Sequence, residues 1–120
     1  MYKKKLLSIY INEFNYEYLL RGAKKFKCQN IINILKRKKY LTKTNDKTQN
    51  KDLDPWVQTV TINTGKSSNS HKVFKTGQPV PKNLIQIWDI LSKRKINCAI
   101  WGTMNTYFKN NSHIKIFFPD

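Results

Sequence analysis

The stretch Asn83-Leu-Ile-Gln-Ile-Trp-Asp-Ile-Leu91, followed by Lys93-Arg94-Lys95 and then Ile96-Asn-Cys-Ala-Ile-Trp101-Gly102, decides the reading of the fold. Leu84, Ile87, Trp88 and Leu91 recur at i, i+3, i+4 and i+7, the spacing of one helix face. The cations that follow complement the helix dipole and close the helix. Ile96 to Trp101 carries apolar side chains on both faces and stops at Gly102, the pattern of a buried strand. A helix that runs straight into such a strand predicts an α/β layered fold with a parallel sheet.

Other segments extend this pattern. Leu6-Leu-Ser-Ile-Tyr-Ile-Asn12 is a short β-branched and aromatic run that predicts another buried strand, and Ile114-Lys-Ile-Phe-Phe118 predicts a third. Helical spacing is expected from about Asn15 to Phe26 and again around Ile31, Ile32 and Leu35, which lead into the basic run Lys36 to Lys39. Asp54-Pro55 is a helix start, with Asp as N-cap and Pro at the first position, and Thr64-Gly65 supplies its stop. Residues 42–54 and 66–81 are polar or rich in Gly and Pro, and are expected to be exposed loops.

One domain suits the 120 residues, yet two or three strands make a thin sheet for an α/β fold. The chain stops at Phe118-Pro119-Asp120, directly after an apolar run. The expectation is therefore a truncated, partial three-layer fold, incomplete at its C-terminus.

Charge is the most conspicuous feature, at +16, with 23 Lys plus Arg against 7 Asp plus Glu. It suggests a polyanion partner such as nucleic acid, or a codon background rich in Lys, Asn and Ile. Arg, whose planar fork suits phosphate and guanine, occurs only three times, which favours the compositional explanation. A nucleic-acid partner is accordingly not favoured. No apolar run approaches the roughly 20 residues of a membrane span. Cys28 and Cys98 are too few for a disulfide framework, so a reducing, cytoplasmic setting is expected.

Ligands of open parallel sheets collect at the carboxyl ends of strands. That rule selects Glu13 and Asn15 after the first run, and Thr103 and Asn105 after the second. Glu13 is a candidate metal ligand or general base, or simply a favourable charge at a helix start. Asp54 is explained by N-capping alone, while the helix end it caps would also attract an anion. His71 and His113 stand far from any second ligand type and are expected to be surface or turn residues.

Taken together, several stretches resemble the N-terminal part of the alkaline phosphatase superfamily, in its branch of type I phosphodiesterases, nucleotide pyrophosphatases and sulfatases. They are Leu6 to Asn15, Asp54-Pro-Trp-Val-Gln58, Thr64-Gly65 with His71 six residues on, and Ile87-Trp-Asp-Ile-Leu91 followed by Ala99-Ile-Trp-Gly102. The resemblance implies a metal-dependent hydrolase of phosphate or sulfate esters, inactive as a 120-residue piece. It places Glu13 and Asp54 on a divalent metal (zinc, calcium or magnesium), and Asn15, Gln58 and Asn105 against the ester substrate. Ten positions before Gly65, where such enzymes carry the nucleophile, stands Pro55. Asp54 and Thr59 are the remaining nucleophile candidates. The alternative function is a small basic protein that binds nucleic acid or another polyanion.

Overall fold

The computed structural model of the chain describes residues 5–12, 14–37, 40 and 54–120. Glu13 and most of the polar stretch 42–54 lie outside the described residues. The protein divides into two compact units, residues 1–44 and 45–120, each described by itself.

In the first unit, Asn15 turns the chain into helix α1 (Tyr16–Lys25) by accepting a hydrogen bond from the Tyr18 amide at 3.0 Å. Glu17 in the first turn and Lys24 and Lys25 in the last suit the helix dipole. A short turn leads to α2 (Gln29–Leu35), where Ile31, Ile32 and Leu35 are half-buried. The run from Leu6 to Asn12 does not form the expected strand. Leu6 and Leu7 are 88% and 81% exposed, and residues 5–11 have no regular structure. A strand exists only through a ladder partner, and among the described residues this run pairs in none.

The second unit holds α3 (Pro55–Thr64), α4 (Ser68–His71), α5 (Ile87–Lys93), β1 (Cys98–Thr103) and β2 (Ile114–Pro119). Pro55 occupies the first helical position of α3, as its fixed φ and missing N–H favour. Gly65 ends that helix in the left-handed region at φ +64°, its amide donating to Thr61 O at 2.8 Å. A Cβ at Gly65 would meet nothing within 4 Å. Gly65→Ala is therefore expected to cost about 1 kcal/mol, through backbone conformation alone. Urea denaturation measures it, and an unchanged midpoint would show that the left-handed stop is not required.

Within the expected loop 66–81 the chain makes the extra turn of helix α4. Helix α5 begins later than its apolar spacing suggests, because Gln86 and Asp89 form a reciprocal capping box. Asp89 Oδ2 accepts from the Gln86 amide at 2.9 Å, and the Gln86 side chain accepts from the Asp89 amide. Leu84 and Ile85 are left outside the helix.

β1 and β2 pair in parallel, from Cys98 opposite Ile114 to Thr103 opposite Pro119. Between Trp101 and Thr103 the register shifts, where Gly102 adopts φ +59°. That is a β-bulge placed on the residue type that tolerates it. Residues 104–113, which join the two strands, contain no helix. They are tied to the start of α5: Gln86 Nε2 donates to Tyr107 O at 2.8 Å, and Lys109 Nζ donates to Leu84 O at 3.0 Å and Asp89 Oδ2 at 3.2 Å.

The core is small. Val60, Val73 and Val80 pack with Leu84 and Tyr107, and Val57, Trp88 and Ile100 are also buried. Burial of each valine contributes roughly 1.5–3 kcal/mol. The other face of the sheet is open: Trp101 is 74% exposed and stacks on Phe118 at 4.6 Å between ring centroids. The second unit is thus a small α/β arrangement of helices around two parallel strands. No helix of the described residues is long and apolar enough to cross a membrane.

Candidate functional site

A set of bonded polar side chains surrounds the loop between α4 and Val80. His71, expected at the surface, is fully buried. Its Nδ1 lies 3.0 Å from the Val73 amide and its Nε2 lies 3.0 Å from Thr61 Oγ1. A backbone amide only donates, so Nδ1 is the acceptor and Nε2 carries the hydrogen, donated to Thr61. The ring is thereby fixed as the neutral tautomer, joining α3 to the loop.

Three more side chains hold the backbone that follows. Gln78 Oε1 accepts from the amides of Phe74 at 2.7 Å and Lys75 at 3.1 Å, while its Nε2 donates to Lys72 O at 2.8 Å. Trp56, in the first turn of α3, donates its indole N–H to Phe74 O at 3.0 Å. Asn105, just beyond β1, accepts from the Gly77 amide and donates to Lys75 O, both at 2.8 Å. Asn105 and Lys72 both sit at positive φ, +45° and +57°. For residues other than glycine that costs free energy, and it persists here because neighbouring bonds fix the backbone.

The loop therefore links the amino end of α3 to the carboxyl end of a parallel strand, where ligands of open α/β sheets collect. Asp54 stands at this helix start in extended conformation and half-buried. Its backbone carbonyl accepts from the Val57 and Gln58 amides at 3.0 and 2.9 Å. Among the described residues its carboxylate makes no capping bond, so N-capping does not account for the side chain.

The other candidate residues are distributed differently. Thr59 lies inside α3 and is 8% exposed, which turns its hydroxyl away from solvent. Gln58 is on the same helix and half-buried. Asn15 belongs to the first unit and serves as the N-cap of α1. The amide of Asn105 is engaged at both ends by the 75–77 backbone. Glu13 is outside the described residues. No three His, Cys, Asp or Glu side chains converge among the described residues.

Cys98 begins β1, at the end of the strand away from Asn105, and burial pushes its thiol up from the ordinary value. It is a poor nucleophile at neutral pH. A cleft of about 460 Å³ opens near Thr64, Lys66, Lys93 and Arg94, the carboxyl ends of α3 and α5. It lies at the opposite end of α3 from Asp54, and its cations suit the helix dipoles there.

No protein-family model, curated protein or solved structure matches this chain. What sequence reasoning missed was the set of side chains that hold the loop: Trp56, His71 and Gln78. The available signal was their polarity within 23 residues of one another, but each bonds to backbone, and backbone partners leave no residue pattern.

Proposed function

We propose that the chain is part of a metal-dependent hydrolase of phosphoric or sulfuric esters, similar to the alkaline phosphatase superfamily. The observation that carries the reading is the bonded path from Trp56 through Phe74 and Lys75 to Asn105. It holds the Asp54 helix start and the end of a parallel strand to one loop, the relation that a site for a bound anion requires. The dipole of the α3 amino end favours a phosphate or sulfate group there. A three-layer fold around a parallel sheet belongs to the same proposal, with β1 and β2 as two strands of that sheet.

The described residues do not by themselves form a metal site, since Asp54 is the sole carboxylate placed at the α3 start among them. A zinc, calcium or magnesium ion would need further ligands beside Asp54, because such sites take several converging groups. No step of a reaction is assigned through the metal. Asp54 is the stronger of the two nucleophile candidates, because Thr59 is buried.

The test is hydrolysis of 4-nitrophenyl phosphate, bis(4-nitrophenyl) phosphate and 4-nitrophenyl sulfate by the product of the whole open reading frame, with each metal added in turn. The expected result is turnover of at least one ester, abolished by a chelator and lowered about 100-fold or more in kcat by Asp54→Asn. A folded product that hydrolyses none of the esters overturns the reading. So does tight, sequence-selective binding of DNA or RNA that weakens steeply with salt, which would establish the polyanion-binding alternative.

A further inference from the structure

The cleft at the carboxyl ends of α3 and α5 combines an apolar wall with a charged rim. The wall is Leu84, Ile85 and Ile90, of which Ile85 and Ile90 are 48% and 47% exposed. The rim carries Lys66, Lys93 and Arg94, all exposed, and the lining includes no carboxylate and no aromatic ring. Among the described residues the one ion pair, Lys109 with Asp89, involves none of these cations. The helix dipoles account for the sign of the rim charges. They do not account for the aliphatic wall, and carbonyls at both helix ends are already bonded by backbone. Thr61 O accepts from the Gly65 amide at 2.8 Å, and Leu91 O accepts from the Arg94 and Ile96 amides at 3.0 Å. The wall is also held in place. Leu84 packs on the valine core, its amide donates to Pro81 O at 2.9 Å, and its carbonyl accepts from Lys109. Gln86 is buried and caps α5, so Ile85 is presented by backbone fixed on both sides.

We propose that this cleft is a binding site for an aliphatic carboxylate, a small anion with a flexible apolar tail. Three cations without a carboxylate select an anion, and the planar fork of Arg94 matches both oxygens of a carboxyl group. The tail lies along Ile85 and Ile90 and removes their exposed surface from water. The cleft of about 460 Å³ is within the roughly 300–1,000 Å³ of small-molecule sites. A wall already fixed in one conformation loses little entropy when the ligand arrives. The site lies at the opposite end of α3 from Asp54, so it goes beyond the ester-hydrolase reading and stands or falls without it.

Amide NMR titration of the 120-residue chain with butanoate, hexanoate, octanoate and 1-octanol tests it. Octanoate is expected to shift the amides of residues 64–66, 84–85 and 90–94. Each two methylenes added to the acid should tighten binding by about threefold or more. 1-Octanol, which has the tail without the charge, should bind at least about tenfold more weakly than octanoate. Arg94→Gln should weaken all three acids by about tenfold. Ile90→Ser should flatten the dependence on tail length while the Val60 and Val73 methyl resonances stay in place. Equal affinity for the three acids in the parent chain overturns the inference, as does equal affinity for octanoate and 1-octanol. A response spread over lysines elsewhere, or an Arg94→Gln variant that binds unchanged, overturns it too.

Discussion

Replacing His71 with alanine is expected to remove about 3 kcal/mol of stability, a large share of what a domain of this size possesses. Two effects combine. The imidazole is fully buried, so its removal leaves a cavity beside Val73 in the valine core. It also leaves the Val73 amide and the Thr61 hydroxyl without the ring that each bonds. A buried donor stripped of its acceptor costs about 1–3 kcal/mol by itself. Two further variants separate the contributions. His71→Asn places an oxygen where Nδ1 was and should recover part of the loss by accepting from Val73. His71→Gln reaches toward Thr61 instead, and should recover less because a hydroxyl is the easier group to resatisfy. Urea midpoints of the three variants provide the check; equal losses for all three would show that the ring acts by volume and not by its hydrogen bonds.

The second large effect is expected at Gln86. This residue is buried, caps α5 and bonds Tyr107 O, so Gln86→Leu keeps the volume and removes both functions. Loss of the cap costs about 1 kcal/mol, and the half-buried Tyr107 carbonyl left without its donor adds about 1 kcal/mol more. Gln86→Asn is the informative companion. Asparagine is a good N-cap but is one methylene shorter, so the α5 start survives while the bond to Tyr107 is lost. Its stability in thermal or urea unfolding is expected to fall between that of Gln86→Leu and that of the parent. If Gln86→Asn is as unstable as Gln86→Leu, the anchoring of residues 104–113 outweighs the cap.

His71 and Gln86 also mark where the sequence stops being informative. Helix α3 was legible because Asp54-Pro55 and Gly65 act locally: a proline at the first turn and a left-handed stop need no distant partner. The strands β1 and β2 were legible because apolar runs bounded by turn residues have few other outcomes. The burial of His71 was not, since it depends on Thr61 ten residues back and on a backbone amide. The capping box at Gln86 has its acidic residue at the usual third position but a glutamine where Ser or Thr ordinarily stands, and the apolar spacing around it suggested an earlier start. The run from Leu6 to Asn12 has every local property of a strand except a neighbour. Of the candidate site, Asp54 and Asn105 were found by position alone, but the bonds that give Asn105 its bracing role connect it to residues nearly 30 positions away.

The crossover between the two strands has a mechanical consequence. β1 is six residues long, so a parallel partner requires the chain to travel back about 20 Å before β2 begins. Residues 104–113 reach at most about 33–36 Å when fully extended, and part of that span goes into passing over the start of α5. The surplus is taken up by bends at residues 104–105 and a turn at 112–113, so the segment is not held taut. The bonds of Tyr107 to Gln86 and of Lys109 to Leu84 and Asp89, rather than its length, pin the crossover against the start of α5.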